Sequence, residues 1–183
     1  MDHNIRAVRA GEWEKAREIR LAALRDPAAP IAFLETYEHA VDRPPEYWQD
    51  RTDTAASGVG FRQFIAEDPE GRWVGSVTVM VEGPADEVRF GEAAKVDQTH
   101  FVGVFVRPEA RGIGVTEQLF RAAVEWSWAL TEPPVERVRL YVHEENGRAM
   151  AFYRRFGFVP SGDSVPVPSD PSAREFEYEL RRT

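Results

Sequence analysis

The chain has 183 residues, of which 43% are apolar, 30% charged and 11% aromatic, with five tryptophans, no cysteine and a formal net charge of -8. That length and apolar content suit a single domain over residues 1–183 and exclude the aromatic-poor composition of a disordered chain. Without cysteine there is no disulfide, thiolate metal site or thiol nucleophile, and the acidic balance disfavours nonspecific attraction to nucleic acid or anionic lipid.

The run from Asn4 to Arg9 alternates like a short strand, and Gly11 to Arg25 places Trp13, Ala16, Ile19 and Ala23 on one helical face. Prolines at 27, 30, 44 and 45 break the next stretch into short surface helices, expected at Ile31 to Ala40 and near Glu46 to Arg51. Phe61 to Ala66 and Trp73 to Val81 read as a hairpin turning at Asp68-Pro69-Glu70-Gly71. Gly83 to Asp97 reads as a loop, His100 to Val106 as an apolar strand stopped by Pro108, and Gly114 to Leu130 as a helix with a wide apolar face. Arg137 to Val142 is a further strand. Asn146 to Phe156 is a helix closed by Gly157, Pro160 to Ser172 a long loop, and Arg174 to Leu180 a last alternating strand. No stretch approaches the roughly 18 apolar residues of a membrane helix, and the start, Met1-Asp2-His3-Asn4, has neither a basic region nor an apolar signal core, so no membrane role and a cytoplasmic location are expected.

The informative segment is a strand followed by Arg107-Pro108-Glu109-Ala110-Arg111-Gly112-Ile113-Gly114-Val115-Thr116 and then a helix. Glycines at such a junction let a ligand approach the backbone, and the free N–H groups of the following helix attract an anion such as a phosphate. Two glycines alone serve equally as a plain tight turn. A P-loop is excluded because Gly114 precedes Val115-Thr116 in place of Lys-Ser/Thr. A dinucleotide fingerprint lacks its third glycine and its acidic residue after a second strand.

In its order and spacing this segment resembles motif A of the GNAT acetyltransferase family: strand Val104-Phe105-Val106, Pro108, then Arg111-Gly112-Ile113-Gly114-Val115-Thr116. A second piece looks like motif B: Leu140-Tyr141-Val142, Asn146, Ala149, Phe152-Tyr153 and Gly157-Phe158. The resemblance implies a mixed α/β (α+β) fold, with a twisted, mostly antiparallel central sheet flanked by helices on both sides and opened between the strands ending near Val106 and Val142. It also implies acetyl-CoA as cosubstrate and a primary amine, on a small molecule or a protein, as acceptor. On that likeness Val104, Phe105 and Val106 pair their backbone with the pantetheine arm, and Gly112 to Thr116 donate N–H groups to the pyrophosphate. Arg111 is a nearby charge partner and Asn146 bonds the arm. Thr116 departs from the family's Gly or Ala at that position.

Acetyl transfer needs a neutral amine, yet an alkyl ammonium with a pKa near ~10.4 is almost wholly protonated at neutral pH, so a base is required. The departing thiolate benefits from a proton donor, a task that suits tyrosine. Tyr153 lies two helical turns beyond Asn146 on the same face, and the resemblance makes it that donor. Some family members carry a glutamate base where this chain has Tyr141; His100, on the motif A strand, is the remaining candidate, with a water chain as the alternative. His143, Glu144 and Glu145 are weaker candidates, expected to be solvated. Glu35, Glu38, Glu82 and Glu92 border the expected acceptor region and hint at a cationic amine, although solvated acids explain them as well. A homodimer is left open, no metal is implied, and a CoA-binding module without catalysis is the rival reading.

Overall fold

The computed structural model describes residues 2–183. Its strands and helices follow in the order β1 (Asn4–Ala7), α1 (Trp13–Leu24), α2 (Ala29–Ala32), α3 (Tyr37–Val41), α4 (Pro45–Ser57), β2 (Phe61–Glu67), β3 (Trp73–Glu82), β4 (Gln98–Val106), α5 (Val115–Ala129), β5 (Arg137–His143), α6 (Gly147–Phe156), β6 (Val159–Val167) and β7 (Asp170–Arg181). The seven strands form one sheet in the order β1-β2-β3-β4-β5-β7-β6. Every pairing is antiparallel except β4 with β5.

Strand alternation divides the apolar residues between two faces. On β2, Phe64 and Ala66 point to a core built with Leu119, Phe120 and Ala123 of α5 and Tyr153 of α6. Ile65 between them points the other way, to Ala16, Ile19 and Ala23 of α1 and Ala55 of α4. Helices therefore cover both faces, as the family resemblance implies. No helix among the described residues is long and apolar enough to cross a membrane.

Three expectations need correction. The helix expected over Ile31 to Ala40 is two short turns, α2 and α3, because the chain becomes extended at Phe33 (φ -136°, ψ 149°) and restarts where the Thr36 hydroxyl accepts the His39 N–H. The helix expected near Glu46 to Arg51 runs the full length of α4, opening on Pro45 and ending at left-handed Gly58. The loop expected from Pro160 to Ser172 is instead most of the β6–β7 hairpin. Strand β6 lies at the sheet edge, where Pro160 and Pro166 are tolerated, and its register shifts beside both prolines. It is mostly exposed, so no apolar alternation marks it in the sequence.

Candidate functional site

The sheet opens between β4 and β5, and the reason is local. The two strands pair only over Gln98–His100 against Arg137–Arg139. On β4 the register against β3 jumps from Val102 opposite Thr78 to Phe105 opposite Ser76, so Gly103 and Val104 share one partner position in a bulge. Gly103 takes φ 63°, which only glycine adopts cheaply. The bulge bends β4 away while β5 stays paired with β7 along its length. A cleft of about 1130 Å³ results, with Val104, Phe105 and Val106 on one wall and Leu140, Tyr141 and Val142 on the other. Beyond His100, β4 presents toward β5 a backbone edge that β5 does not pair.

At the mouth of this cleft a 3-10 turn, Pro108–Ala110, leads into Gly112 (φ 77°) and Gly114 (φ 89°). Gly114 is the N-cap of α5 and brings no side-chain cap, so the N–H groups of the first turn have no partner in the helix. An added Cβ at Gly112 would meet nothing within 4 Å, and at Gly114 only the end of Gln118, at 3.9 Å. The backbone is thus bare on this side, as close approach of a phosphate requires. Gly112, Gly114, Val115 and Thr116 line the cleft, whereas the Ile113 side chain is 53% exposed and is not among the lining groups. Arg111 is already engaged: its Nε donates to the Val106 carbonyl at 2.9 Å and its guanidinium pairs with Asp26 at 2.7 Å. It ties the turn to the end of α1, and it occupies a carbonyl that the sequence reading assigned to the open edge. Arg148 and Arg155, exposed on α6 and lining the cleft, were not singled out from the sequence.

Asn146 caps α6, its Oδ1 accepting the Ala149 N–H at 3.3 Å, and the residue also lines the cleft. Tyr153, two turns on, also lines the cleft and is only 8% exposed, stacked on Phe120 with ring centroids 5.8 Å apart. Burial, and secondarily the charge of Glu175, push its phenol pKa well up, so it is protonated at neutral pH.

Along β5 and β7 the opposite face of the sheet carries charge in place of the apolar side chains that pack under α1 and α4. Arg137, Arg139, Tyr141 and His143 alternate on β5 beside Glu175, Glu177 and Glu179 of β7. Arg137 pairs with Glu177 at 2.9 Å and with Glu179 at 2.5 Å; Arg139 pairs with Glu177 at 3.2 Å and with Glu82 at 3.0 Å. His100 is 1% exposed, with its Nδ1 3.2 Å from Glu82. Burial pushes the Glu82 carboxyl up, but the His100 contact and the Arg139 and Gln98 hydrogen bonds outweigh it and hold the pKa at about 2. An ionised carboxylate only accepts, so Nδ1 carries the imidazole proton and Nε2 is left with a lone pair. Desolvation lowers the His100 pKa despite Glu82, which keeps the ring neutral at pH 7; the permanent charge opposite Glu82 is therefore Arg139.

His143 was expected to be solvated but is the last residue of β5, 7% exposed, with Nδ1 accepting the Glu145 N–H; Glu144 and Glu145 are exposed. The acids expected as free or solvated near the acceptor divide likewise. Glu82 is paired as above, Glu35 is held between Arg20 at 3.4 Å and Arg43 at 2.9 Å, and Glu38 and Glu92 are exposed. Glu175 was overlooked. It is 9% exposed, lines the cleft and takes part in no ion pair among the described residues, and burial raises its pKa despite the nearby His143. The sequence shows only that Glu175, Glu177 and Glu179 alternate along one strand; that they share a sheet face with Arg137 and Arg139 follows from the pairing of β5 with β7. Because the folded pKa lies above the unfolded one, the stability is fully present at low pH, is lost as the pH rises from the unfolded pKa to the folded one, and stays at the reduced level above it. Glu175→Gln should therefore raise Tm at pH 7 and leave it little changed near pH 4; equal shifts at both would contradict this. Among the described residues no group of His, Asp and Glu could hold a metal ion.

The sheet is splayed at one parallel pair, with a bare glycine turn and a helix start at the opening, which leaves room between two strands for an extended ligand. Solved structures share that fold: an N-acetyltransferase, PaiA, from Thermoplasma acidophilum in complex with coenzyme A (16% identity, all of both chains, TM-score 0.70) and Arabidopsis thaliana NAA60 in complex with a bisubstrate analogue (15% identity, 98% of each chain, TM-score 0.69). Residues 14–158 match the acetyltransferase (GNAT) family, and the chain belongs to it. It is 33% identical over 158 residues to a mycothiol acetyltransferase from Saccharomonospora viridis, covering 80% of this chain and 49% of that protein. The chain thus spans about half the length of that relative.

Proposed function

We propose that this chain transfers the acetyl group of acetyl-CoA directly to the primary amine of an acceptor. The observation that carries the proposal is the opening between β4 and β5, with the glycine turn at its mouth and Tyr153 and His100 both on its walls. The residues fit the cosubstrate: Val104 and Phe105 offer backbone to the pantetheine arm, Gly112 to Thr116 offer N–H groups to the pyrophosphate, and Arg148 and Arg155, with no ion-pair partner among the described residues, can meet further phosphate charge. When bound, acetyl-CoA supplies an activated carbonyl carbon and a thiolate leaving group.

His100 Nε2 takes a proton from the incoming ammonium, and the resulting imidazolium is stabilised by Glu82 through Nδ1. As the new carbon–nitrogen bond forms and the carbon–sulfur bond breaks, Tyr153 gives its proton to sulfur, and the second proton released by nitrogen returns to the phenolate through water in the cleft. The absence of cysteine removes the thiol route to an acyl-enzyme, and the proposal is direct transfer within a complex of both substrates.

The pH dependence of kcat tests the base. Since the His100 pKa is held below 6.5, activity should fall only in acid, and His100→Gln should lower kcat by about 100-fold and remove that acid limb. An unchanged profile in the variant would rule out His100.

A further inference from the structure

The wall of the cleft on the α1 and α4 side is unlike the cofactor end. Arg20, Arg43, Arg51 and Arg89 line it, and the one carboxylate among them is Glu35, which Arg20 and Arg43 share. The other acids on the cleft are spoken for or distant in the fold: Asp26 pairs with Arg111, Glu117 with Arg121, and Glu175 stands on the β7 side. A protein of net charge -8 thus concentrates excess positive charge in one recess.

These cations are also held in place. The Arg20 guanidinium lies 5.0 Å from the Phe33 ring and that of Arg43 4.1 Å from the Tyr47 ring, while Arg51 donates to the Tyr47 hydroxyl at 3.3 Å. Arg89 rests over Phe61 at 4.7 Å. Burial, and secondarily the adjacent charge of Arg51, depress the Arg20 pKa despite its contact with Glu35. Arg20 and Arg51 border a small recess with Ser76, Thr78 and Gly103, directly at the β4 bulge that opens the sheet. That is the face of α1 and α4, opposite the face on which α5 begins, so the cofactor's phosphates at the glycine turn do not account for it.

We infer that the acceptor is an amine that also carries a carboxylate, such as an amino acid or the terminus of a short peptide, and that Arg20, Arg43, Arg51 and Arg89 bind this carboxylate. The inference rests on the acetyl-transfer reading for the acceptor's amine but not for the anion site itself. It reverses the cationic acceptor suggested by acidic residues in the sequence, because Glu35 and Glu82 are neutralised within the fold. A planar guanidinium grips a carboxylate through two parallel hydrogen bonds, whereas a polyamine would meet like charge along this wall.

The test compares common α-amino acids with their methyl esters and with spermidine, with acetyl-CoA as donor and release of free thiol as the signal. Arg51 and Arg89 are exposed and in no ion pair, so Arg51→Gln and the Arg51→Gln/Arg89→Gln double variant should keep the wild-type Tm. Free acids should exceed their esters by about 10- to 100-fold in kcat/KM. The variants should erase most of that preference through KM of the acceptor, with KM for acetyl-CoA unchanged. Esters or spermidine used as well as the acids, or a loss that falls on acetyl-CoA instead, would overturn the inference. If no amine is acetylated, the transfer reading fails, and calorimetry of the same amino acids with the CoA-loaded protein decides the anion site alone: binding weakened in the double variant upholds it, and no binding refutes it.

Discussion

Tyr153→Phe should lower kcat by about 100- to 1,000-fold while leaving the protein as stable as the wild type and KM for acetyl-CoA nearly unchanged. The ring is anchored by Phe120, Phe158 and Tyr178, all of which phenylalanine would still meet. The hydroxyl, by contrast, has no hydrogen-bond partner among the described residues, so its removal orphans nothing and spares a desolvated polar group. A hydroxyl that contributes so little to the fold yet stands at the cleft is free to serve the departing sulfur. Wild-type turnover in this variant would remove Tyr153 from the chemistry. A loss confined to KM would make it a binding group only.

Glu177→Ala should have the largest effect on stability. This carboxylate, 2% exposed, is shared by Arg137 and Arg139, themselves 8% and 1% exposed. Removing it leaves two buried guanidiniums, with only Glu179 and Glu82 to compensate them, and breaking such a pair costs about 3–5 kcal/mol. That is a large share of a typical domain's stability and corresponds to a fall in Tm of roughly 10 °C or more. The same change should disturb the site, because Arg139 also holds Glu82, the partner of His100, and donates to the Tyr141 hydroxyl at 3.1 Å. A Tm within a degree or two of wild type would show that water reaches the network freely.

The elements that carry a strong local signature were legible in the sequence. β4 and α5 read correctly because an apolar strand, Pro108 and two glycines coincide at one junction, and α6 because Asn146 and Gly157 mark its ends. What the sequence concealed depends on pairing at a distance. The β6 edge strand has prolines and exposed polar residues, and only its register with β7 makes it a strand. Glu175, Glu177 and Glu179 look like a solvated strand face; they are buried because Arg137 and Arg139, some forty residues earlier, lie on the same face of the sheet. The cationic wall was invisible for the same reason. Its arginines come from α1, α4 and the segments after α3 and β3, and nothing local shows that Glu35 is consumed by two of them.

Asn146 shows how one residue can satisfy two demands. Its Oδ1 supplies the helix cap that asparagine favours, and the residue also lines the cleft. Arg111 shows the opposite case: the family pattern places a cation at the turn, but in this chain its charge is spent on Asp26. On α6, Arg148 and Arg155 line the cleft with no ion-pair partner among the described residues.

The most direct measurement is amine-dependent release of free CoA thiol from acetyl-CoA by the purified chain, with the acetylated amine identified by mass. The account predicts release in equal amount to acetylated amine, with negligible release when amine is omitted and a sharp reduction in Tyr153→Phe. Tight binding of CoA with no amine-dependent release from any acceptor would contradict it and make the cleft a cofactor-binding module without catalysis.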